Sequence, residues 1–398
     1  MTRESSWRPG IAFGAVLGIF AAFQQFKLPP ALPLLLDLYG YDRLLAGGFM
    51  SVYALLGLVF SVRIGGWLDR YGSGRMLLIA SAIMFCGNLG ALAMPESGAL
   101  VLVSRGFEGF AFAIFAIAGP VIANASAEPR HLPLVFALTA AWIPVGQISA
   151  ALIGQPIIGA GAWRPLWWIA AAATLGMAIW VAALGRRLGR TLAGAGSKRG
   201  PTSRTEVLPV LNLALIGVTF TLWAAQYFAF VTWLPTYLVE VLGFAPGDAV
   251  LGYLLPVALL LVFVLACGGL MRLGIPIPAM LLGSLFLQAA VWWWLPSTES
   301  ALWAGIGLVA WAAGAGTTPT CLFAMPSVVL GTGRAGPRAF AIVMTGRNLG
   351  VLVGPLLIPA VLALGGHWSF AGSVFGALTL GAGFVAALLS WRLRQGRI

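Results

Sequence analysis

The sequence predicts an all-α membrane protein of twelve transmembrane helices, arranged as two six-helix halves in a 6+6 pseudo-symmetric repeat. Three observations predict this fold class: an apolar composition, twelve apolar windows of membrane-spanning length, and similarity between the two halves of the chain. Hydrophobic residues make up 60% of the 398 residues, and charged residues only 9%. A soluble protein with this many apolar helices would lack polar faces to meet water, which argues against that alternative.

Each window is close to the ~20 residues that a helix needs to cross the hydrocarbon core of a bilayer. The first window is longer than the apolar region of a signal peptide, so we expect it to be retained as a span. The predicted spans are 10–36, 44–62, 76–94, 98–124, 133–156, 164–184, 208–238, 249–271, 276–295, 299–325, 338–363 and 367–391.

The basic residues predict the orientation of the chain. If both termini are cytoplasmic, the outer segments hold only Arg43 and Arg164, and every other basic residue outside the spans lies on the cytoplasmic side. Basic residues favour the cytoplasmic side of a membrane. This asymmetry explains the net charge of +12 without a nucleic-acid partner.

The two halves share short segments in the same order. A basic stretch rich in glycine and serine, 186–207, is predicted to be a cytoplasmic linker between an N-terminal half, 1–185, and a C-terminal half, 208–398. A duplication of six helices is typical of secondary transporters with a site near the bilayer midplane. The matching residues, at one constant offset, are Ala21-Ala22 with Ala224-Ala225, Gly40 with Gly243, and Gly65-Gly66 with Gly268-Gly269.

The loop between the second and third spans has the unusual sequence GGWLDRYGSGR, beginning at Gly65. Its glycines permit a tight turn, and its acid can meet the positive N-terminal end of a helix. The loop resembles the G-x-L-x-D-R-x-G signature of the major facilitator superfamily, although its tail, Ser73-Gly74-Arg75, is shifted by one position. VSRGFEGF resembles the R-x-x-x-G pattern of the family's fourth helix. The matching residues are Gly66, Leu68, Asp69, Arg70 and Gly72 in the loop and Arg105 and Gly109 in the helix.

This resemblance implies the major facilitator fold and transport by alternating access. It also implies a conformational gate formed by Gly66, Asp69, Arg70 and Gly72, in which Asp69 braces the closed cytoplasmic side. The segment FVTWLPTYLVEVLGF and the proline-rich end of the first span resemble the cyanate permease-like bacterial branch of the family.

Charged residues inside predicted spans are candidates for function, because burying a charge there costs ~2.5–3.5 kcal/mol on insertion scales. Lys27 either snorkels to the outer interface or lines a cavity beside Gln24, where Pro29-Pro30 would kink the helix. Arg105 and Glu108, on one helical face, either neutralise each other or form a coupling site in which Glu108 exchanges a proton. The four intramembrane charges are Lys27, Arg105, Glu108 and Arg347.

Arg347 lies near the middle of the eleventh span and is the strongest candidate for substrate binding or coupling; a structural ion pair is its alternative. Glycines at intervals of four around it form a smooth face for close helix packing, namely Gly346, Gly350 and Gly354. Other predicted substrate-binding residues, each with packing as its alternative, are Asn348, Gln147, Gln226, Tyr227, Trp233 and Thr318.

Other residue types indicate packing or anchoring. Trp292 to Trp294 are predicted to be interfacial anchors. The cysteines, Cys86, Cys267 and Cys321, fall within spans and are interpreted as packing residues, so we predict no disulfide, metal or cofactor.

The buried charges are mostly cationic, which favours an anionic substrate. The sequence therefore predicts a proton-coupled secondary transporter for a small organic or inorganic anion. We expect a monomer in the bacterial inner membrane, with substrate, protons and lipid as its partners. A multidrug or metabolite exporter acting as a proton antiporter is the alternative. An enzyme is not predicted, because His131 lies outside the predicted spans, His367 lies at the very start of the last one, and no catalytic constellation appears.

Overall fold

The computed structural model describes residues 7–126, 132–196, 209–295, 301–331 and 337–396. In these ranges the chain forms helices and turns without strands, and twelve stretches are long and apolar enough to cross a membrane. This confirms the predicted fold class. The helices are α1 (Trp7–Phe26), α2 (Leu28–Tyr39), α3 (Arg43–Tyr71), α4 (Ser73–Ala93), α5 (Gly98–Ser126), α6 (Leu132–Gly159), α7 (Arg164–Gly196), α8 (Val210–Glu240), α9 (Pro246–Arg272), α10 (Ile277–Trp294), α11 (Ala301–Leu330), α12 (Pro337–Ala363) and α13 (Phe370–Arg394).

The chain divides into two compact units. The first comprises Met1–Thr205 with Phe244–Leu251, and the second comprises Glu206–Gly243 with Gly252–Ile398. Part of the predicted linker, 186–196, continues α7 as helix, and the remainder lies outside the described residues. The linker and half boundaries therefore stay predictions.

Equivalent helices pair in both units. In the first unit α1 packs on α6, and α4 packs on both α5 and α7. In the second unit α8 packs on α12, and α10 packs on both α11 and α13. Because α1 and α2 together form the first span, these pairs occupy the same positions in each set of six spans. The pairing is the structural counterpart of the repeat seen in the sequence.

Glycines with positive φ end equivalent helices in the two units. Gly40 (φ 59°) follows α2 and Gly243 (φ 70°) follows α8, whereas Gly72 and Gly274 (both φ 81°) follow α3 and α9. Residues with a Cβ rarely adopt this left-handed conformation, and glycine is the usual residue just after a helix. The Gly40–Gly243 match in the sequence is therefore a conformational match as well.

The first span is interrupted as predicted from its prolines. α1 ends at Phe26, Lys27 forms a turn, and α2 begins at Leu28 with prolines in its first turn. Prolines are tolerated there because the first N–H groups of a helix have no intrahelical partner. The break places Lys27 between two helical segments and leaves carbonyls at the end of α1 without their usual donors.

Three glycines of α12 bring its backbone against α8. A Cβ built on Gly346 would lie 2.2 Å from the carbonyl oxygen of Gly217, and one on Gly354 would lie 2.4 Å from that of Ala225. Only glycine fits at such distances from backbone atoms. The predicted smooth glycine face is confirmed. Its contacts fix the position of α12 along α8, and with it the position of Arg347.

Gly350→Ala should destabilise the protein by about 1–3 kcal/mol, the typical effect of overpacking a close contact. A Cβ at Gly350 would lie 2.4 Å from the carbonyl oxygen of Thr221, and backbone cannot move aside as a side chain can. The measurement is the thermal unfolding midpoint of the detergent-purified variant. The matched control is Gly283→Ala in α10, where a Cβ meets nothing within 4 Å. Equal midpoints for the two variants would contradict the tight α8–α12 contact.

One prediction about tryptophan is wrong. Trp292 is buried, and its Nε1 donates to Gln226 Oε1 at 3.1 Å, whereas Trp293 and Trp294 are exposed and consistent with interfacial anchoring. Three consecutive residues of a helix point in directions about 100° apart, so they cannot all face the interface.

Candidate functional site

The break in the first span explains the position of Arg105 in α5. Pro29 has no backbone N–H, so the carbonyl of Gln25, four residues earlier, lacks its helical donor. Arg105 Nη2 donates to that carbonyl at 2.9 Å, and Nη1 donates to the carbonyl of Gln24 at 3.2 Å. Its Nε donates to the carbonyl of Phe49 at 3.2 Å. Arg105 therefore connects α5 to both α1 and α3.

Glu108 is shared by two cations in the interior of the first unit. Its Oε2 accepts from Arg105 Nη1 at 2.6 Å and from the Tyr53 hydroxyl at 2.5 Å, and its Oε1 accepts from Lys27 Nζ at 3.0 Å. The side chains of all three charged residues are fully buried. One carboxylate facing an ammonium and a guanidinium leaves one positive charge in excess when every group is ionised.

Lys27 uses all its donors within this group. Besides Glu108, Nζ donates to Gln24 Oε1 at 3.0 Å and to Asn88 Oδ1 at 2.5 Å, and it lies 5.1 Å from the ring centroid of Trp167. An ammonium has three N–H bonds, so the group is saturated. The buried position excludes snorkelling in this structure, and an anion could reach Lys27 only by replacing one of these acceptors.

Gln24 holds Lys27 in place. Its Nε2 donates to the carbonyl of Ala170 at 2.8 Å and to Thr174 Oγ1 at 2.9 Å, both on α7, which leaves Oε1 as the acceptor for Lys27. The structure thus joins four predicted residues, namely Lys27, Arg105 and Glu108 with Gln24 as their support. We call the group formed by Gln24, Lys27, Tyr53, Asn88, Arg105 and Glu108 the Lys27–Glu108 cluster.

Two members of the Lys27–Glu108 cluster are absent from the sequence prediction. Asn88 lies in the apolar segment FCGNLG of α4, and a lone amide in a span is a signal that could have identified it. Tyr53 carries no comparable signal, because tyrosine in a span is equally compatible with packing. Its role is visible only once α3 and α5 are placed side by side.

Arg347, in the second unit, has a different environment. Its Nη1 donates to Asn348 Oδ1 at 3.1 Å, and its guanidinium lies 5.7 Å from the ring centroid of Phe228. Only 9% of the residue is exposed, and no carboxylate among the described residues pairs with it. Four of its five N–H groups have no acceptor in the described part of the chain. Arg347 can therefore bind an anion without displacing a protein partner.

Two other candidates in the second unit lie in an aromatic cluster beside Arg347. Tyr227 is buried between the rings of Trp223, at 5.1 Å, and Trp311, at 6.4 Å. Gln226 Oε1 accepts the hydrogen bond from Trp292 described above. Because an indole N–H can only donate, this bond fixes which amide atom of Gln226 faces Trp292, and Nε2 of Gln226 points away from it. Gln226 Nε2 has no hydrogen-bond acceptor among the described residues.

Of the remaining substrate-binding candidates, two form hydrogen bonds to backbone carbonyls and the third is characterised only by its burial. Trp233 Nε1 donates at 2.8 Å to the carbonyl of Pro355, which lacks a helical donor because Pro359 has no N–H. Thr318 Oγ1 bonds the Gly314 carbonyl of its own helix at 2.9 Å. Gln147 is buried on α6.

The predicted gate residues lie where α3 meets α4. Gly72 makes the turn with its positive φ, and Arg70 is exposed with its guanidinium 5.4 Å from the Tyr71 ring centroid. Beyond the local helix backbone, no atom of the described residues lies within 4 Å of the Cβ position of Gly66. The side chain of Asp69 lies outside the described side chains. Its gating role therefore stays a prediction.

The sequence profile of the Major Facilitator Superfamily matches residues 14–337 of this chain. The match covers most of the chain, and the protein belongs to this superfamily of membrane transporters. A fungal relative, the MFS-type transporter ppzB of Metarhizium majus (strain ARSEF 297), is 27% identical over 146 residues, which are 36% of this chain and 30% of that protein. The chain thus matches about a third of the length of this relative.

Solved structures of the same fold cover nearly the whole chain. The human organic anion transporter MFSD10 (TETRAN) superposes with a TM-score of 0.69 at 18% identity, over 96% of this chain and 100% of that one. The inward-open xylose transporter XylE from E. coli gives a TM-score of 0.74 at 15% identity, over 95% of each chain. The proton:xylose symporter XylE with bound 6-bromo-6-deoxy-D-glucose gives 0.71 at 13% identity, over 98% of this chain and 96% of that one. At these identities the likeness shows the fold alone.

Proposed function

We propose that this protein is a secondary transporter that moves a small organic or inorganic anion by alternating access. The observation that carries the proposal is Arg347, a nearly buried guanidinium with four N–H groups lacking an acceptor among the described residues. A buried cation without a partner is costly, and a bound carboxylate or similar anion removes that cost. Arg347 offers the planar, two-point recognition that such groups favour.

The Lys27–Glu108 cluster supports coupling to protons. When Glu108 is ionised, the cluster carries one excess positive charge; protonation of Glu108 alone would raise the excess to two. Two uncompensated charges in a dry interior are strongly unfavourable, so protonation of Glu108 is stabilised if the anion binds to Lys27 at the same time. Protonated Glu108 would also release Lys27 as a donor. Proton and anion binding then favour each other, as linkage requires.

The proposed oligomeric state, location and gate follow the sequence predictions. We propose a monomer in the bacterial inner membrane with cytoplasmic termini, related to the cyanate permease-like branch, in which Gly66, Asp69, Arg70 and Gly72 form the gate. Proteins of this fold include one named as an organic anion transporter and one named as a proton:xylose symporter, so the fold is compatible with anion transport and with coupling to protons. Export of lipophilic cations is less well supported, because Glu108 is already engaged by two cations.

A thermal-shift screen of the purified protein tests the proposed substrate class. We expect small anions to stabilise the protein by up to ~2.7 kcal/mol at 100 times their dissociation constant, because a ligand that binds only the folded state shifts unfolding by mass action. Neutral solutes and lipophilic cations serve as comparison classes. Stabilisation by lipophilic cations alone would contradict the proposal and favour the exporter. In proteoliposomes, uptake of a stabilising anion should be accompanied by alkalinisation of the outer medium.

A further inference from the structure

Two tryptophan–glutamine pairs join α8 to α10 inside the second unit. Trp223 Nε1 of α8 donates to Gln288 Oε1 of α10 at 3.1 Å. In the opposite direction, Trp292 Nε1 of α10 donates to Gln226 Oε1 of α8 at 3.1 Å. All four residues are buried. Each helix therefore supplies one indole donor and one amide acceptor to the other.

The two pairs fix the orientation of both amides. An indole N–H can only donate, so Gln226 and Gln288 must each turn Oε1 towards a tryptophan and Nε2 away from it. Neither Nε2 has a hydrogen-bond acceptor among the described residues, although both glutamines are completely buried. Each pair thus leaves a buried NH2 group that still needs an acceptor.

A third buried donor, on α11, lies beside the two pairs. Trp311 Nε1 has no acceptor among the residues that the structure describes, and the residue is almost completely buried. Its ring centroid lies 6.1 Å from that of Trp292. A Cβ built on Gly314, one turn after Trp311, would lie 2.9 Å from the Cβ of Gln288, so this glutamine packs on the same turn of α11. We call the following residues the indole–amide cluster: Trp223, Gln226, Gln288, Trp292 and Trp311.

The indole–amide cluster has hydrogen-bond donors in excess. The indoles of Trp223 and Trp292 use the two amide oxygens, which leaves the NH2 groups of the amides and the N–H of Trp311. A buried N–H without an acceptor costs free energy, so a partner that supplies acceptors binds favourably. A water molecule also donates and would add to the excess, whereas a carbonyl oxygen only accepts. No residue of the cluster is charged, so an uncharged acceptor matches it better than a second carboxylate does.

Aromatic rings connect the indole–amide cluster to the proposed anion site. The guanidinium of Arg347 lies 5.7 Å from the ring centroid of Phe228. The Phe228 ring lies 5.4 Å from that of Tyr227. Tyr227 in turn stacks on Trp223 at 5.1 Å and on Trp311 at 6.4 Å. An arginine at one end and neutral donors at the other, connected by aromatic surface, match an anion with an apolar middle.

We infer that the indole–amide cluster binds uncharged carbonyl-type oxygens of the substrate, and that the transported anion is therefore organic. The inference rests on the proposed function, in which Arg347 holds the anionic end. A small inorganic anion can occupy only the arginine, because it has no second group to reach the buried amides. An organic anion that combines a carboxylate, an apolar connector and a ketone or ester carbonyl satisfies both ends.

Pairs of carboxylates that differ in one carbonyl oxygen test the inference. The pairs are pyruvate with propionate, levulinate with pentanoate, and para-acetylbenzoate with para-ethylbenzoate, which provide short, extended and aromatic connectors. Dissociation constants are measured by isothermal titration calorimetry on the detergent-purified chain. In at least one pair the keto acid should bind about 10-fold tighter or more, because only its oxygen satisfies the buried donors.

Substitutions that remove single donors should reduce this preference. Trp311→Phe keeps an aromatic ring but loses the N–H, and Gln226→Met and Gln288→Met keep the side-chain length but lose the NH2 group. Each should lower the affinity ratio within the preferred pair by about 3-fold or more, with little change in the affinity for the partner that lacks the ketone. Trp303→Phe, at an exposed position of the same helix as Trp311, is the matched control and should keep the wild-type ratio.

Three results would overturn the inference: no carbonyl preference in any pair, a preference that every folded donor variant retains, or a loss of preference that Trp303→Phe shares. If a methionine variant fails to fold because its tryptophan has lost an acceptor, Trp311→Phe still tests the donors, since it leaves both pairs intact.

Arg347→Ala separates the inference from the proposed function. It should weaken the binding of both members of a pair equally and leave their ratio in place. Binding that depends on Arg347 but shows no carbonyl preference contradicts the inference alone. A preference that depends on the donors but not on Arg347 supports the carbonyl site and contradicts the proposed anion site alone.

Discussion

Arg347→Ala should reduce anion transport to near background at substrate concentrations below the wild-type Kd, while the protein still folds. The substitution removes the only described buried cation that has no carboxylate partner, so the substrate loses a charge-assisted hydrogen bond of about 1.5–3 kcal/mol, roughly a 10- to 100-fold loss of affinity. Folding should survive because the residue contributes a single described hydrogen bond, to Asn348. The measurements are uptake in proteoliposomes and the thermal shift produced by the anions that stabilise the wild type.

Two controls separate binding from general damage. Arg347→Lys keeps the charge but loses the planar fork, so it should retain weakened binding. Arg164→Ala removes an exposed arginine and should behave as the wild type. Wild-type transport by Arg347→Ala would remove the residue from the substrate site, whereas loss of transport in Arg164→Ala would show that the assay reports overall charge.

Glu108→Ala should destabilise the folded protein by about 3–5 kcal/mol, the effect expected when one partner of a buried ion pair is removed and its counter-charge is left in place. Here two counter-charges remain, the ammonium of Lys27 and the guanidinium of Arg105. The measurement is the thermal or denaturant midpoint in detergent. Asp37→Ala, which removes an exposed acid near the end of α2, serves as the control and should change the midpoint little.

A double-mutant cycle gives the stricter test. Glu108→Gln leaves two buried cations without a carboxylate partner, and Lys27→Met removes one of them. The double variant Lys27→Met/Glu108→Gln should therefore be more stable than the sum of the two single effects predicts, by a coupling energy of about 0.5–3 kcal/mol. If the effects of Lys27→Met and Glu108→Gln simply add, the 3.0 Å ion pair contributes nothing and the proton-coupling role of the cluster fails with it.

The fold could be predicted largely from local sequence because membrane spans and their breaks are local properties. Apolar length gave the twelve spans, and Pro29-Pro30 indicated the break in the first one. The close packing face of α12 could also be predicted, since the spacing of four places its glycines on one face of the helix. In each case the physical cause lies within a single helix.

The partners in the candidate site could not be predicted, because they depend on which helices meet. Lys27 is 61 residues from Asn88 and 81 from Glu108, and no periodicity relates such positions. Pairing of Arg105 with Glu108 was one of two alternatives drawn from their spacing, and the structure shows this ion pair. The bond of Arg105 to the Gln25 carbonyl requires in addition the proline break and the α1–α5 contact. Trp292 was misassigned for the same reason, since its acceptor is on another helix.

The distance in sequence between Lys27 and Glu108 also has a consequence for biosynthesis. During translation the first span must enter the bilayer with its ammonium before the ribosome has made the carboxylate 81 residues downstream. Until the span that carries Glu108 arrives, the first span carries a penalty of about 2.5–3.5 kcal/mol that its apolar residues must offset. We therefore expect the ion pair between Lys27 and Glu108 to form only after the span that carries Glu108 has been synthesised and inserted.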